Sequence, residues 1–386
     1  MRFPAILLVF ISHSIAATIG GSIEDSHGIQ GLLYEAMGAV VFFLMLSGFI
    51  ITFVYRDRIQ TTSFRSAMLF TAARFVRFWP VHALLLALSA LLVIGNTRSA
   101  TGDWIGLFEQ LTLVQAWDPY RALSFNSPAW TLSIELAAAP LLILIIGILR
   151  TSKTPPTNAR IWLSILTLWM ISTTSVMVME LMLQTKTAQL VAFTSPFNHL
   201  PVPLIGVLLA VLVFGSSGSP PRFHMENLRS WTILEISALM AIIGSALLRD
   251  VIPPDLTVLR YGPIHVPAAI YFIWVFAHDG GTISRWCRAR WVQWLGGISF
   301  AFYLSHVLVL KILAAMGLAN SLHPLLFSAT ALVISIVVAH IVHSEFELPL
   351  DKLLRARLRQ RSSSRETIPT GEPSDIQVRP QTSDAA

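Results

Sequence analysis

Apolar residues in this chain do not alternate with polar ones. They come in long runs, and those able to cross about 30 Å of hydrocarbon lie at residues 2–19, 34–54, 80–96, 130–149, 161–183, 200–214, 231–248, 263–279, 295–316 and 324–343. This pattern predicts an all-α polytopic bundle of about ten transmembrane helices, the sixth the weakest because it is short. Ahead of the third run, FRSAMLFTAARFVRFWP (Phe64 to Pro80) spaces Phe64, Met68, Ala72 and Phe75 as an amphipathic helix lying on the membrane surface. From Arg361 the chain turns to Ser, Thr, Pro, Glu and Gly, too poor in apolar side chains to offset ordering entropy. The division is therefore a membrane domain over residues 1–350 and a basic, then disordered, tail over residues 351–386.

Composition agrees: of 386 residues, 54% are hydrophobic and 12% charged, with mean hydropathy +0.66, which excludes a soluble domain of this size. Charge sets the orientation. Lys and Arg crowd the segments holding Arg56 to Arg77, Arg150 to Arg160, Arg222 to Arg229, Arg285 to Arg290 and Lys352 to Arg365. The alternate segments hold only Arg98, Arg121, Lys186, Arg249 and Arg260. Both termini are therefore expected in the cytoplasm. Topology accounts for the pI of about 9.8, so no nucleic-acid partner is needed. The single cysteine, Cys287, excludes a disulfide framework and a paired-thiol metal site, and no metal is expected. Residues 1–17 imitate a signal peptide, but removing them would leave an odd number of spans and invert the charge asymmetry.

Several polar residues lie where hydrocarbon should surround them. Arg2 and His13 are eleven residues apart, almost three turns, so they share one helix face about 16 Å apart along the axis. Ionisable groups at such depth mark working sites by default. Arg74 and Arg77 stand one turn apart before Pro80, a guanidinium pair suited to phosphates. In FNSPAWTLSIE (Phe125 to Glu135), Trp130 suits the interfacial aromatic belt. Glu135 lies about 8 Å deeper by helical rise, where a carboxylate needs a partner. WLGGISFAFYLSH (Trp294 to His306) carries His306 about 16 Å into the ninth run. EFELP (Glu345 to Pro349) ends the tenth with a proline stop and carboxylates read as structural.

Taken in order, these segments resemble the acyltransferase type 3 family, integral membrane O-acyltransferases that modify sugars and other hydroxylated acceptors in bacteria. The resemblance rests on Arg2 and His13; Gly38 to Phe49; Arg74, Arg77 and Pro80; Asn126, Trp130, Ser133 and Glu135; Ile298 to His306; and Glu347 with Pro349. Each match is short, but the ordered set spans residues 2 to 349. Thr131 and Phe300 replace a usual Ser and Tyr, and FNHLP (Phe197 to Pro201) stands where the family carries an Arg. The family also carries several residues ahead of its Arg, where this chain has Met1 alone, and an optional hydrolase-like domain that is missing here.

The resemblance implies transfer from acyl-CoA, most often acetyl-CoA, to a hydroxyl of a saccharide or lipid-linked glycan, by a multi-pass protein of the bacterial inner membrane. Acyl-CoA would be a co-substrate, with no tightly bound cofactor. Arg74, Arg77 and Arg2 would bind its phosphates. His13 would be the general base or acyl-accepting residue, held by Glu135. His306 is the candidate oxyanion donor, and Trp130, Ser133 and Asn126 are candidates for acceptor contacts. Membrane lipids and the acceptor are the other partners. The alternative from the residues alone is a proton-coupled multi-pass transporter, which also buries His, Glu and Arg; against it stand the absence of paired broken helices and of a twofold repeat.

Overall fold

A computed structural model of the chain describes residues 2–19, 36–56, 59, 63–96, 103–152, 154, 156–183, 186–215 and 227–353. The disorder expected from Arg361 lies outside the described residues. Among the described residues there is no strand. Among those residues eight helices are long and apolar enough to span a membrane, and two shorter apolar helices, Arg2–Thr18 and Pro263–Ala277, fill the first and eighth expected positions.

The helices that build the site are α1 (Arg2–Ile19), α2 (Met37–Tyr55), α3 (Phe64–Asn96), α4 (Trp104–Thr112) and α5 (Trp130–Thr151). They are followed by α6 (Asn158–Leu183), α7 (Lys186–Thr194), α8 (Pro196–His199), α9 (Pro201–Phe214), α10 (Leu228–Leu247) and α11 (Val266–Ala277). The last are α12 (Thr282–Trp286), α13 (Arg290–Ala315), α14 (Leu318–Ser321) and α15 (Pro324–Ile341), with a π-helical turn over Val342–Glu347.

In the spans containing α2, α9 and α13, 61%, 72% and 67% of the apolar window is buried, so these helices form the interior. The spans of α6, α10 and α15 bury only 22–28% and face outward, as lipid-exposed helices should. Two glycines let α2 and α9 touch backbone to backbone. A Cβ on Gly48 would lie 1.9 Å from the Pro203 carbonyl oxygen, and one on Gly206 would lie 2.0 Å from that of Met45. Small residues permit this approach where no hydrophobic force draws helices together in lipid. Gly48 of the LSGF segment is therefore a packing residue.

Two sequence expectations are corrected. The surface helix over Phe64 to Pro80 and the span beginning at 80 are one continuous helix, α3, of 33 residues and about 50 Å. Pro80 sits inside it, since losing one N–H bond leaves neighbouring turns helical and packed helices make good the loss. Arg74 and Arg77 thus ride on a spanning helix. Pro349 likewise does not stop its helix, which runs on to Leu353. In the preceding π-turn the Leu348 N–H bonds to the His343 carbonyl, five residues back, and the helix resumes through a residue with no N–H to place.

Candidate active site

α1 packs between α2, α13 and α15, and α13 also meets α3, which lies along α5. These helices bring together residues from distant parts of the sequence. His13 on α1 and His306 on α13 have ring centroids 5.2 Å apart. His13 Nδ1 lies 2.9 Å from the Val9 carbonyl oxygen and 3.4 Å from His306 Nε2. A carbonyl can only accept, so His13 Nδ1 carries the proton. His306 obeys the same rule, its Nδ1 being 3.2 Å from the Phe302 carbonyl, which leaves Nε2 as an acceptor towards His13. The remaining nitrogen of the pair, His13 Nε2, holds a lone pair and makes no hydrogen bond among the described residues. His306 is fully buried, with its ring stacked on Phe302 and edge-on to Phe10, so its orientation is locked by packing.

Three turns back along α1, a charged cluster forms. Arg74 is ion-paired and hydrogen-bonded to Glu135. Its guanidinium lies over the Phe78 ring, 4.7 Å from the centroid, and 3.4 Å from the Ser47 hydroxyl. Arg2 lies within electrostatic reach of Arg77, Glu135 and Arg74. Arg77 and Arg2 are exposed, while Arg74 and Glu135 are partly buried.

A base with a free lone pair, a buried partner on its other side and a cluster of guanidiniums on the same helix form a constellation suited to group transfer from an anionic donor. Residues 1–343 match the family described as an acyltransferase domain. The chain belongs to this acyltransferase family. Acyltransferase MdmB of Streptomyces mycarofaciens is 25% identical, over 92% of this chain and 92% of its own length. No solved structure matches. Family membership makes the chain an acyl-transferring enzyme, which takes the place of the carrier reading.

The geometry changes several roles expected in this acyltransferase. Glu135 pairs with Arg74, and the side chain beside His13 is that of His306. The reason is helix assignment: α5 lies against α3, whereas α13 is the neighbour of α1. His306 does not fit an oxyanion donor, because its one N–H points at the Phe302 carbonyl. Trp130 is 3% exposed and packs on Phe193 and His199, with ring centroids 5.4 and 5.1 Å away, so it is a core residue and no lipid-facing anchor. Ser133 is also internal, its hydroxyl accepting from the Ala116 N–H at 3.4 Å.

Asn126 sits where the segment before α5 meets α13. Its Nδ2 donates to the Leu304 carbonyl at 3.1 Å, while its buried Oδ1 has no partner among the described residues. The segment is braced by His82 on the Gln110 carbonyl at 2.7 Å, by Gln110 on Ser124 at 2.8 Å and by Gln115 on Ala129 at 2.9 Å. Lys311 Nζ donates to the Phe125 carbonyl at 2.9 Å, about 8 Å beyond His306 along α13. The sequence reading missed Lys311, although a lone cation in an apolar helix is itself a signal. Cys287, between α12 and α13, is half-buried, and burial pushes its thiol above the usual range.

Proposed function

We propose that this enzyme moves an acyl group, acetyl in the simplest case, from acyl-CoA to a hydroxyl of a saccharide or another exported acceptor at the bacterial inner membrane. The observation that carries the proposal is the free Nε2 lone pair of His13, whose opposite nitrogen is anchored by Val9 and His306. An alcohol is too weak an acid to attack a thioester unaided, and a neutral imidazole within hydrogen-bond reach is the usual remedy. His13 Nε2 takes the acceptor proton as the hydroxyl oxygen attacks the thioester carbon, then gives it to the departing thiolate as the carbon–sulfur bond breaks. Arg77 and Arg2 offer donors for the phosphates of the donor, and Glu135 holds Arg74 among them. The arginine cluster and the base are about 16 Å apart along α1, a gap to be crossed by the flexible arm between phosphates and thioester. His306 is a positioning residue, and Asn126, whose Oδ1 has no partner among the described residues, is the candidate contact for the acceptor.

The test is transfer from acetyl-CoA by the purified full chain, offered a panel of saccharide hydroxyls, with thiol release and acetylated product both measured. His13→Gln should abolish transfer while leaving the protein folded and able to bind acetyl-CoA, because losing a general base removes about 10²–10⁴ in rate. Substantial turnover by His13→Gln would overturn the assignment of the base.

A further inference from the structure

Building on the proposed acyl-CoA reaction, we infer that Tyr303 is a catalytic residue whose phenol donates the hydrogen bond that stabilises the tetrahedral oxyanion. Tyr303 precedes His306 by three residues on α13, so both side chains lie on one helix face. Its ring centroid is 6.0 Å from the His306 imidazole and 6.3 Å from Phe43 on α2. On its other side it lies within electrostatic reach of Glu135, the partner of Arg74. The phenol thus stands between the histidine pair and the arginine cluster. A donor bound by its phosphates at the arginines, with its carbonyl carbon near His13, must place its thioester there.

The chemistry of the phenol fits the role that His306 cannot fill. Its hydrogen-bond partner is the Thr131 hydroxyl at 3.1 Å, and that hydroxyl is also 3.1 Å from the Pro128 carbonyl. The carbonyl can take the threonine proton, so the phenol O–H is free to turn to a ligand at the loss of one neutral hydrogen bond. Phe10 and Phe302 pack on the His306 ring and Phe43 lies beside the Tyr303 ring, and in such apolar surroundings a donor aimed at developing charge is strengthened. The step balances. The acceptor oxygen bonds to the thioester carbon, its proton passes to His13 Nε2, and the carbonyl oxygen becomes an anion held by Tyr303. Collapse breaks the carbon–sulfur bond, and the thiolate leaves with the proton from His13.

The experiment compares Tyr303→Phe, Thr131→Val and His13→Gln in the full chain, with acetyl-CoA as donor and the panel acceptor that supports turnover. Tyr303→Phe should lower kcat by about 10²–10³ and leave the KM for acetyl-CoA unchanged. Thr131→Val removes the same resting hydrogen bond but keeps the phenol, and should lose less than tenfold. Equal losses in the two variants, or a Tyr303→Phe kcat within threefold of the parent, would overturn the inference. Should Tyr303→Phe not fold, 3-fluorotyrosine at 303 keeps shape and hydroxyl while sharpening the donor. It should raise kcat at constant KM, and an unchanged kcat would count against the role. Turnover by His13→Gln instead overturns the proposed base, so the two failures are distinguishable.

Discussion

The sharpest consequence of the histidine pair concerns His306. Replacing it by Leu keeps apolar contact with Phe10 and Phe302 but removes the Nε2 acceptor that faces His13. The tautomer of His13 survives, because the Val9 carbonyl still holds its Nδ1–H at 2.9 Å. The resting cost is therefore small: at 3.4 Å a neutral hydrogen bond sits near the lower end of about 0.5–1.5 kcal/mol. In the transition state His13 carries the acceptor's proton, and the same contact becomes a bond from a cation, about 1.5–3 kcal/mol. The difference, about 1–2.5 kcal/mol, corresponds to about 5- to 70-fold in kcat. His306→Leu should show that loss in saturation kinetics with acetyl-CoA, with little change in KM, and His306→Gln should recover part of it by restoring an acceptor. A folded His306→Leu enzyme with kcat within twofold of the parent would refute the reasoning.

Three further outcomes are expected. Arg77→Ala should raise the KM for acetyl-CoA by about 10- to 150-fold, the worth of about 1.5–3 kcal/mol for a charged hydrogen bond, with Lys a partial substitute because it lacks the planar fork; Arg74→Ala should do at least as much because it also strands Glu135, and unchanged donor affinity in a folded double variant would reassign both residues. Gly48→Ala should lower the thermal midpoint in detergent through about 1–3 kcal/mol of overpacking against Pro203, and a midpoint equal to the parent's would show that α2 and α9 part easily. With Cys287 replaced, a cysteine at Ser99 should react with an impermeant reagent in intact cells and one at Ser152 should not, because Lys and Arg concentrate on the segments that include Ser152.

The spanning elements were legible in the sequence because an apolar run of membrane length has few other fates. Arg2 and His13 could be set on one face by counting residues within one helix, and α1 bears that out. What could not be read was which helices are neighbours. Glu135 and His306 both reach the bundle interior, and only the packing of α13 on α1 and of α5 on α3 decides which of them stands beside His13. Pro80 misled for a related reason: in water it marks a helix boundary, whereas inside a bundle neighbouring helices can compensate for the missing hydrogen bond. Trp130 suited a belt residue by type, but its rings meet Phe193 and His199 from segments more than sixty residues away. Local pattern gives exposure to lipid only where no other helix covers the face.

The charged cluster links binding to stability. Arg2, Arg74 and Arg77 carry three positive charges and Glu135 one negative, leaving a surplus of two where the arginines repel one another. Glu135 can neutralise only one partner, and the structure assigns it to Arg74, the most enclosed of the three. Arg2 and Arg77 are left exposed, at a cost in self-repulsion that hydrophobic packing must offset. A polyanionic donor relieves that repulsion in the bound state alone, so its binding gains from strain already present in the empty protein. The same surplus explains why Glu135 cannot be spared to orient His13: withdrawing it would leave Arg74 half-buried without a counter-ion. A neutral partner for the base, His306, leaves the carboxylate free for the arginine.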